Sequence, residues 1–433
     1  MHRSLAALLA ATACASIAQA QTGPLAEARP AQQQSRSPAL TGSAFTVDRA
    51  LELAGAVSPA LEAASADIRA AEAGRQVAGL RPNPSVTVEA ENVAGSGQYR
   101  GTQSLEATTS LTLPIELGGK RSARIAVADA RTNRATIQAA IAQADLRLSV
   151  VRAYAEAASA ERRLVTAEDQ ARIADEALRA ARVRVQAGRA SPLEAERANV
   201  ARVNADAALL REERAVAVAR FTLSRIIGQP ISGPLDADWF SRIPATYGPL
   251  RPIESAGTLV MAAANADFTI ADAGVRLARS QRVPDLTLGA GARRLEQTND
   301  TAAIFSMSIP IPLFNNGRAA LNQATAERQR ADAQRRLTAL DVDQAIARAQ
   351  ADAANAATSA AAASGPALAA AEEAARIARI GYREGKFGQL DLLDAERTLA
   401  ATRAAAIDAL LSYHIAQAQL ERLTARAPTT QGE

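Results

Sequence analysis

A chain of 433 residues with one cysteine, two histidines, 48% hydrophobic residues and only 3% aromatics excludes a disulfide scaffold and leaves no material for a His/Cys metal site or a Ser-His-Asp triad. Alanine supplies about a quarter of the chain; it packs helices closely but adds little transfer energy, so long helices side by side fit better than a thick core. The net charge of +4 arises from 49 basic and 45 acidic residues interspersed along helical stretches, which describes solvated helix faces, and no basic stripe with aromatics offers itself to nucleic acid.

The chain opens with Arg3, an apolar run from Leu5 to Ala13 and Ala18-Gln19-Ala20. This is the pattern of an export signal over residues 1–20, with the mature chain beginning near Gln21. The run is too short to cross a bilayer as a mature helix. Cys14 lies inside the signal, so cleavage after Ala20 leaves a cysteine-free protein. The competing reading is a lipoprotein site at Ala13-Cys14 with Cys14 acylated, although Ala11 stands where an aliphatic residue is usual. Residues 21–45 are expected to be a flexible N-terminal segment.

The remainder reads as two copies of one unit, 46–228 and 254–424, joined by a connector over 229–253 and followed by a tail over 425–433. Pro84-Ser85-Val86-Thr87-Val88 recurs as Pro284-Asp285-Leu286-Thr287-Leu288. Leu111-Thr112-Leu113-Pro114-Ile115 returns as Met307-Ser308-Ile309-Pro310-Ile311, and Gly188-Arg189 with Leu193-Glu194 returns as Gly385-Lys386 with Leu390-Asp391. Ordered recurrence of this kind marks a duplicated supersecondary unit.

Each copy predicts a helix first, from Thr46 to about Leu80 with a break at Ser58-Pro59, and from Glu254 to about Arg282. Extended pairs follow, Asn83–Val93 with Gln103–Ile115 and Pro284–Leu295 with Ala302–Leu313, around loops at Gly95-Ser96-Gly97 and Gln297–Thr301. In the last strand Phe305, Met307, Ile309 and Ile311 alternate with Ile304, Ser306 and Ser308, giving one apolar face. Lengths of about 10 residues suit tilted membrane-spanning strands. Four strands cannot close a barrel, which needs about eight, so several subunits must each contribute. A soluble hairpin sandwich is the alternative for one such pair; recurrence in both halves favours the membrane.

Very long helices come next, about Arg121 to Gln186 and Ala319 to Glu384, the second interrupted near Gly365-Pro366. They turn at Gly188 and Gly385 and restart at Pro192 and Gln389, running to about Gly228 and Leu423. The uncharged stretch Ala353–Ala371 is too weakly hydrophobic for a transmembrane helix and reads as a small-residue interface. His2 leaves with the signal, and His414 alone is an ordinary interface residue. Gly289-Ala290-Gly291 and Gly118-Gly119 lack the spacing of phosphate-binding loops.

With Ser58-Pro59-Ala60-Leu61, the Pro84 and Pro284 strand entries, Leu117-Gly118-Gly119-Lys120-Arg121 and the two glycine turns in order, the chain resembles the outer membrane efflux protein (TolC) family over nearly its whole mature length. Pro310-Ile311-Pro312-Leu313-Phe314-Asn315-Asn316-Gly317 and Arg282–Gly289 look most like its CzcC-type members, which serve heavy-metal exporters. The resemblance implies a mainly α subunit with a β portion. Three copies would close a twelve-stranded outer membrane barrel above a hollow periplasmic α-barrel.

It also implies a homotrimer, set in outer membrane lipid, that meets a periplasmic adaptor protein and through it an inner membrane RND pump. The adaptor would dock at the tips around Gly188 and Gly385. Tyr382 and Glu194 match a tyrosine and an acidic partner that hold the entrance shut, while Phe387 stands where an arginine is usual, so the accompanying salt bridge is expected to be missing. Asp391 and Asp394 match two aspartates that form rings at the narrow entrance, against the plain alternative of an exposed pair with Asp394 bridged to Arg397. No catalytic residue, cofactor or bound metal is implied. The rival readings are a drug-efflux or type I secretion outlet of the same fold, and a periplasmic coiled-coil scaffold without a pore.

Overall fold

The computed structural model describes residues 44–243 and 253–428. The expected export signal, Cys14 and residues 21–43 therefore lie outside the described residues. Local punctuation sets the helices. Thr46 caps α1 (Val47–Val57) by accepting from Arg49 N at 3.3 Å. Ser58, in extended conformation, ends α1 and caps α2 (Pro59–Ala78) by accepting from Leu61 N, with Pro59 at the first helical position, where its missing N–H costs nothing.

After β1 (Ser85–Glu91) and β2 (Glu106–Ile115) comes α3 (Lys120–Gln186), whose 67 residues span roughly 100 Å. It is followed by α4 (Pro192–Ile227) and a short α5 (Ala237–Ser241) in the connector. The second copy holds α6 (Leu259–Ser280), β3 (Leu286–Leu295), β4 (Asp300–Ser308), α7 (Arg318–Ala362), α8 (Leu368–Arg383) and α9 (Gln389–Thr424).

Several expected boundaries move. The helix expected from Glu254 starts at Leu259, because Thr258 caps it, accepting from Met261 N, and is itself bridged to Arg426. The β3–β4 turn is Glu296–Asn299, with Asn299 left-handed at φ 59°. β4 stops at Ser308 rather than Leu313. Pro310 and Pro312 follow, and among the described residues no strand lies opposite them. Phe45 does not belong to a flexible segment: its N–H donates to Pro234 O at 3.0 Å, and its carbonyl accepts from the Tyr154 hydroxyl.

Between α7 and α8 the expected interruption is a π-helical turn, Ala363–Ala367, which widens the helix around Pro366 instead of stopping it. Ala353, Ala360 and Ala371 on this stretch are buried, which fits a small-residue contact surface. Among the described residues no helix is long and apolar enough to cross a membrane.

The strands form one antiparallel meander in the order β1-β2-β3-β4, with the two copies joined through β2 and β3. The strand match between copies differs from the one read in sequence. Counting back from Gly119 and Gly317, the left-handed residues that start α3 and α7, Leu111–Ile115 corresponds to Ile309–Leu313, two residues beyond Met307–Ile311. With that match the hairpins share one register: Glu89 faces Thr108 as Gly289 faces Ser306.

Beside the sheet the helices neighbour one another in the order α2, α3, α6, α7; farther along the order is α4, α3, α9, α8. Every row thus ends on a first-copy element at one side and a second-copy element at the other. One thick core does form, against the compositional expectation, where α1, α3, α4, α5 and α9 meet around Tyr154, Leu223, Ile227 and Phe240, all fully buried. Trp239 packs edge-on to Tyr154 and stacks on His414 at 4.2 Å. His414 Nε2 donates to Phe240 O at 2.8 Å, and burial holds its pKa below the ordinary imidazole value. It is a neutral core residue that pins α5 to α9. Burial likewise pushes the Tyr154 phenol up to about 12.

Candidate functional site at the sheet and the helical tips

The register separates the sheet into two chemically distinct faces. One carries Thr87, Glu89 and Glu91 on β1, Glu106, Thr108 and Ser110 on β2, Gly289, Gly291 and Arg293 on β3, and Ser306 and Ser308 on β4. Arg293 gathers this face by donating to Thr108 Oγ1 at 2.9 Å and pairing with Glu106 at 2.8 Å and Glu91 at 3.3 Å. The opposite face carries Val86, Val88, Leu111, Leu113, Leu288, Phe305 and Met307, with Phe305 84% and Met307 70% exposed. An extended apolar face of this kind left open on a sheet is not stable in water; it requires lipid or protein.

At the far end both helical hairpins close with the same backbone device. Arg189 N donates to Arg184 O and Gly188 N to Val185 O, and in the second copy Lys386 N donates to Gly381 O and Gly385 N to Tyr382 O. These are Schellman turns, and they require the positive φ seen at Gly188 (67°) and Gly385 (72°). Nothing lies within 4 Å of where a Cβ would project from either glycine, so both tips are open.

Just behind the tips the structure brings Tyr382 and Glu194 together. The phenol donates to Glu194 Oε1 at 3.0 Å, and Gln389 Nε2 donates to the Glu194 carbonyl at 3.1 Å. The salt bridge expected to be missing is present from another source. Arg184, near the end of α3, reaches Glu194 at 3.6 Å and lies over the Tyr382 ring at 4.8 Å. Sequence reading missed Arg184 because nothing local distinguishes it from the many arginines of α3. Phe387, which stands where an arginine is usual, packs on Gly381, where no side chain would fit. Burial, and then the bond to Glu194, raise the Tyr382 pKa. A raised value places the bond's contribution fully below the ordinary phenol pKa of about 10 and removes it only as pH climbs through the raised one. The contact is therefore constant across neutral pH.

A phenol-to-carboxylate bond contributes about 1.5–3 kcal/mol when shielded, and the part-exposed setting favours the lower end. Tyr382→Phe is expected to raise single-channel conductance in planar bilayers while leaving oligomer stability nearly unchanged. Identical conductance would show that this contact does not restrict the entrance.

Asp391 and Asp394 lie on the first turns of α9, both exposed. Asp391 Oδ2 accepts from Gly388 N at 2.9 Å and so caps the helix. Among the described residues Asp394 makes no ion pair, and the alternative bridge to Arg397 does not form. Leu392 is buried here, whereas Leu390 is 65% exposed. Among the described residues no group of three or more His, Cys, Asp or Glu side chains is arranged to hold a metal ion.

Comparison with known proteins agrees with this architecture. The outer membrane efflux protein family model matches residues 50–229 and 256–426. The chain is 29% identical over 389 residues to the cobalt-zinc-cadmium resistance protein CzcC of Cupriavidus metallidurans, covering 88% of this chain and 90% of that one. It is 33% identical over 297 residues to the nickel and cobalt resistance protein CnrC of the same organism, covering 68% and 70%. The crystal structure of the outer membrane protein VceC from Vibrio cholerae superposes with a TM-score of 0.71 at 21% identity, over 88% of this chain and 96% of that one, and shares the fold. The chain belongs to the outer membrane efflux protein family.

Proposed function

We propose that three copies of this chain form a passive exit duct for divalent heavy-metal cations. The duct takes substrate from an RND pump through a periplasmic adaptor. The observation that carries the reading is the two-faced sheet whose outer strands, β1 and β4, have no partner on one side. It supplies a lipid-facing surface, a polar lumen and two edges to be closed by further copies. The metal cargo rests on CzcC and CnrC, both named for metal resistance.

In this reading residues 1–20 direct export and are removed, the two copies are the units 46–228 and 254–424, and the Gly188 and Gly385 turns meet the adaptor. The Tyr382–Glu194–Arg184 contact restrains the entrance, and Asp391 and Asp394 line it. No group in the chain is called on for catalysis, because a duct needs only a path and a field.

The test is deletion of the gene in its native host, followed by complementation. Lower tolerance to cobalt, zinc or cadmium salts, restored by the gene, is the expected result. Sensitivity confined to hydrophobic drugs would overturn the metal cargo, and recovery of the protein as a soluble periplasmic monomer would overturn the duct.

A further inference from the structure

The duplicated sheet contains a template for the contact between subunits. Within one chain, the last strand of the first copy (β2) pairs with the first strand of the second copy (β3), from Glu106 opposite Leu295 to Ile115 opposite Leu286. The last strand of the second copy (β4) and the first strand of the first copy (β1) have no such partner. After β4 the chain leaves an apolar segment uncovered, with Ile309 51%, Ile311 78% and Leu313 78% exposed. Val86 and Val88 on the free strand β1 are similarly exposed, at 69% and 71%.

We infer that residues 308–313 of one subunit pair antiparallel with residues 86–91 of the next, in a register fixed by the β2–β3 joint: Leu313 opposite Val86, Ile311 opposite Val88 and Ile309 opposite Ala90. This rests on the oligomeric duct proposed above and specifies its β joint. The derivation uses only the repeat match given by Gly119 and Gly317 and by the shared hairpin register. Ile115 opposite Leu286 becomes Leu313 opposite Val86, and Leu113 opposite Leu288 becomes Ile311 opposite Val88.

Three features agree with it. First, faces are conserved: Ile309, Ile311 and Leu313 continue the apolar face of Phe305 and Met307, and they meet Val86, Val88 and Ala90 on the same face. Second, Pro114 sits in the β2–β3 ladder opposite Thr287, so the equivalent Pro312 opposite Thr87 occupies a position where the ladder already accommodates a proline. Third, the segment that ends without a partner in one chain gains one. A slip of one residue would turn Ile311 onto the polar face beside Glu89. A slip of two preserves the faces but loses the equivalence with β2–β3.

The experiment is disulfide crosslinking in outer membranes with cysteines at Ile311→Cys and Val88→Cys, using the single variants to measure any background from Cys14. Directly opposed residues lie about 4.5–5.5 Å apart at Cβ and diagonal ones about 7–8 Å, so the opposed pair is expected to oxidise at least about fivefold faster than Ile311→Cys with Val86→Cys or with Ala90→Cys. Faster closure of either diagonal pair would overturn the register and leave the oligomeric duct standing. Absence of any covalent oligomer from all three pairs, with the protein monomeric in native gels, would overturn the duct itself. Should the variants fail to insert, cryo-electron microscopy of the unaltered protein in a lipid nanodisc reads the same pairing: Ile311 beside Val88 supports it, and any other neighbour refutes it.

Discussion

Neutralising together the two aspartates proposed to line the entrance, Asp391→Asn with Asp394→Asn, is expected to weaken block by a trivalent cation added from the periplasmic side at least about tenfold and to reduce cation preference. Two exposed carboxylates per chain, if repeated around the axis of the proposed duct, would concentrate negative potential where a single surface pair would be screened away. For that reason the effect should grow as salt is lowered and the Debye length lengthens. The double variant isolates charge from folding. Asp391 caps α9 through one carboxylate oxygen accepting from Gly388 N, and an asparagine carbonyl oxygen can accept the same bond, so the helix start survives. Among the described residues Asp394 makes no ion pair that its replacement would orphan. If wild type and variant show the same selectivity and the same block, the aspartates are ordinary solvated side chains and the narrowest charged point lies elsewhere.

Much of the fold was legible because punctuation residues act locally. Ser58-Pro59, Gly188, Gly385 and Pro192 place their breaks within a residue or two, since a side-chain cap or a positive φ needs no tertiary partner. The strand ends were less legible. The alternation from Phe305 to Leu313 belongs to one continuous exposed apolar face, so the pattern runs on after β4 has ended at Ser308. The repeat match slipped by two residues for a related reason: a period-two pattern of apolar residues reads the same after a shift of two, and only Gly119 and Gly317 break the tie. At the candidate site, Tyr382 and Glu194 were found through the resemblance, and the structure shows them bonded. Arg184 was not found: Glu194 lies just across the turn from it, but Tyr382 comes from the second copy, and nothing local sets Arg184 apart from the other arginines of α3.

The second large effect is expected where the sheet meets the helices. Gly118 has φ 72°, and a Cβ there would stand 2.6 Å from Val283 Cβ and 3.0 Å from Ser280 O. The left-handed backbone costs a non-glycine residue about 1–2 kcal/mol, and forcing atoms into a filled contact adds roughly 1–3 kcal/mol. Gly118→Val is therefore expected to lose roughly 2–5 kcal/mol, a large share of the stability of an ordinary domain. The strain falls on a joint that other bonds hold in register. Lys120 Nζ pairs with Asp285 at 2.7 Å, Leu117 N donates to the same carboxylate, and Arg124 binds Glu116, the carbonyl of Ala78 at the end of α2 and that of Leu80 just beyond it. Moving Val283 aside displaces Asp285 and with it the start of β3, the strand that joins the two copies. The measurement is the amount of heat-resistant oligomer in outer membranes, with Gly119→Ala as the control. Gly119 shares the left-handed φ but faces only Ser122 Oγ at 3.3 Å, so it should lose about 1–2 kcal/mol. Near-normal oligomer in Gly118→Val would show that the β–α joint yields easily, and that the close approach of Gly118 to Val283 is not what sets the strands over the helices.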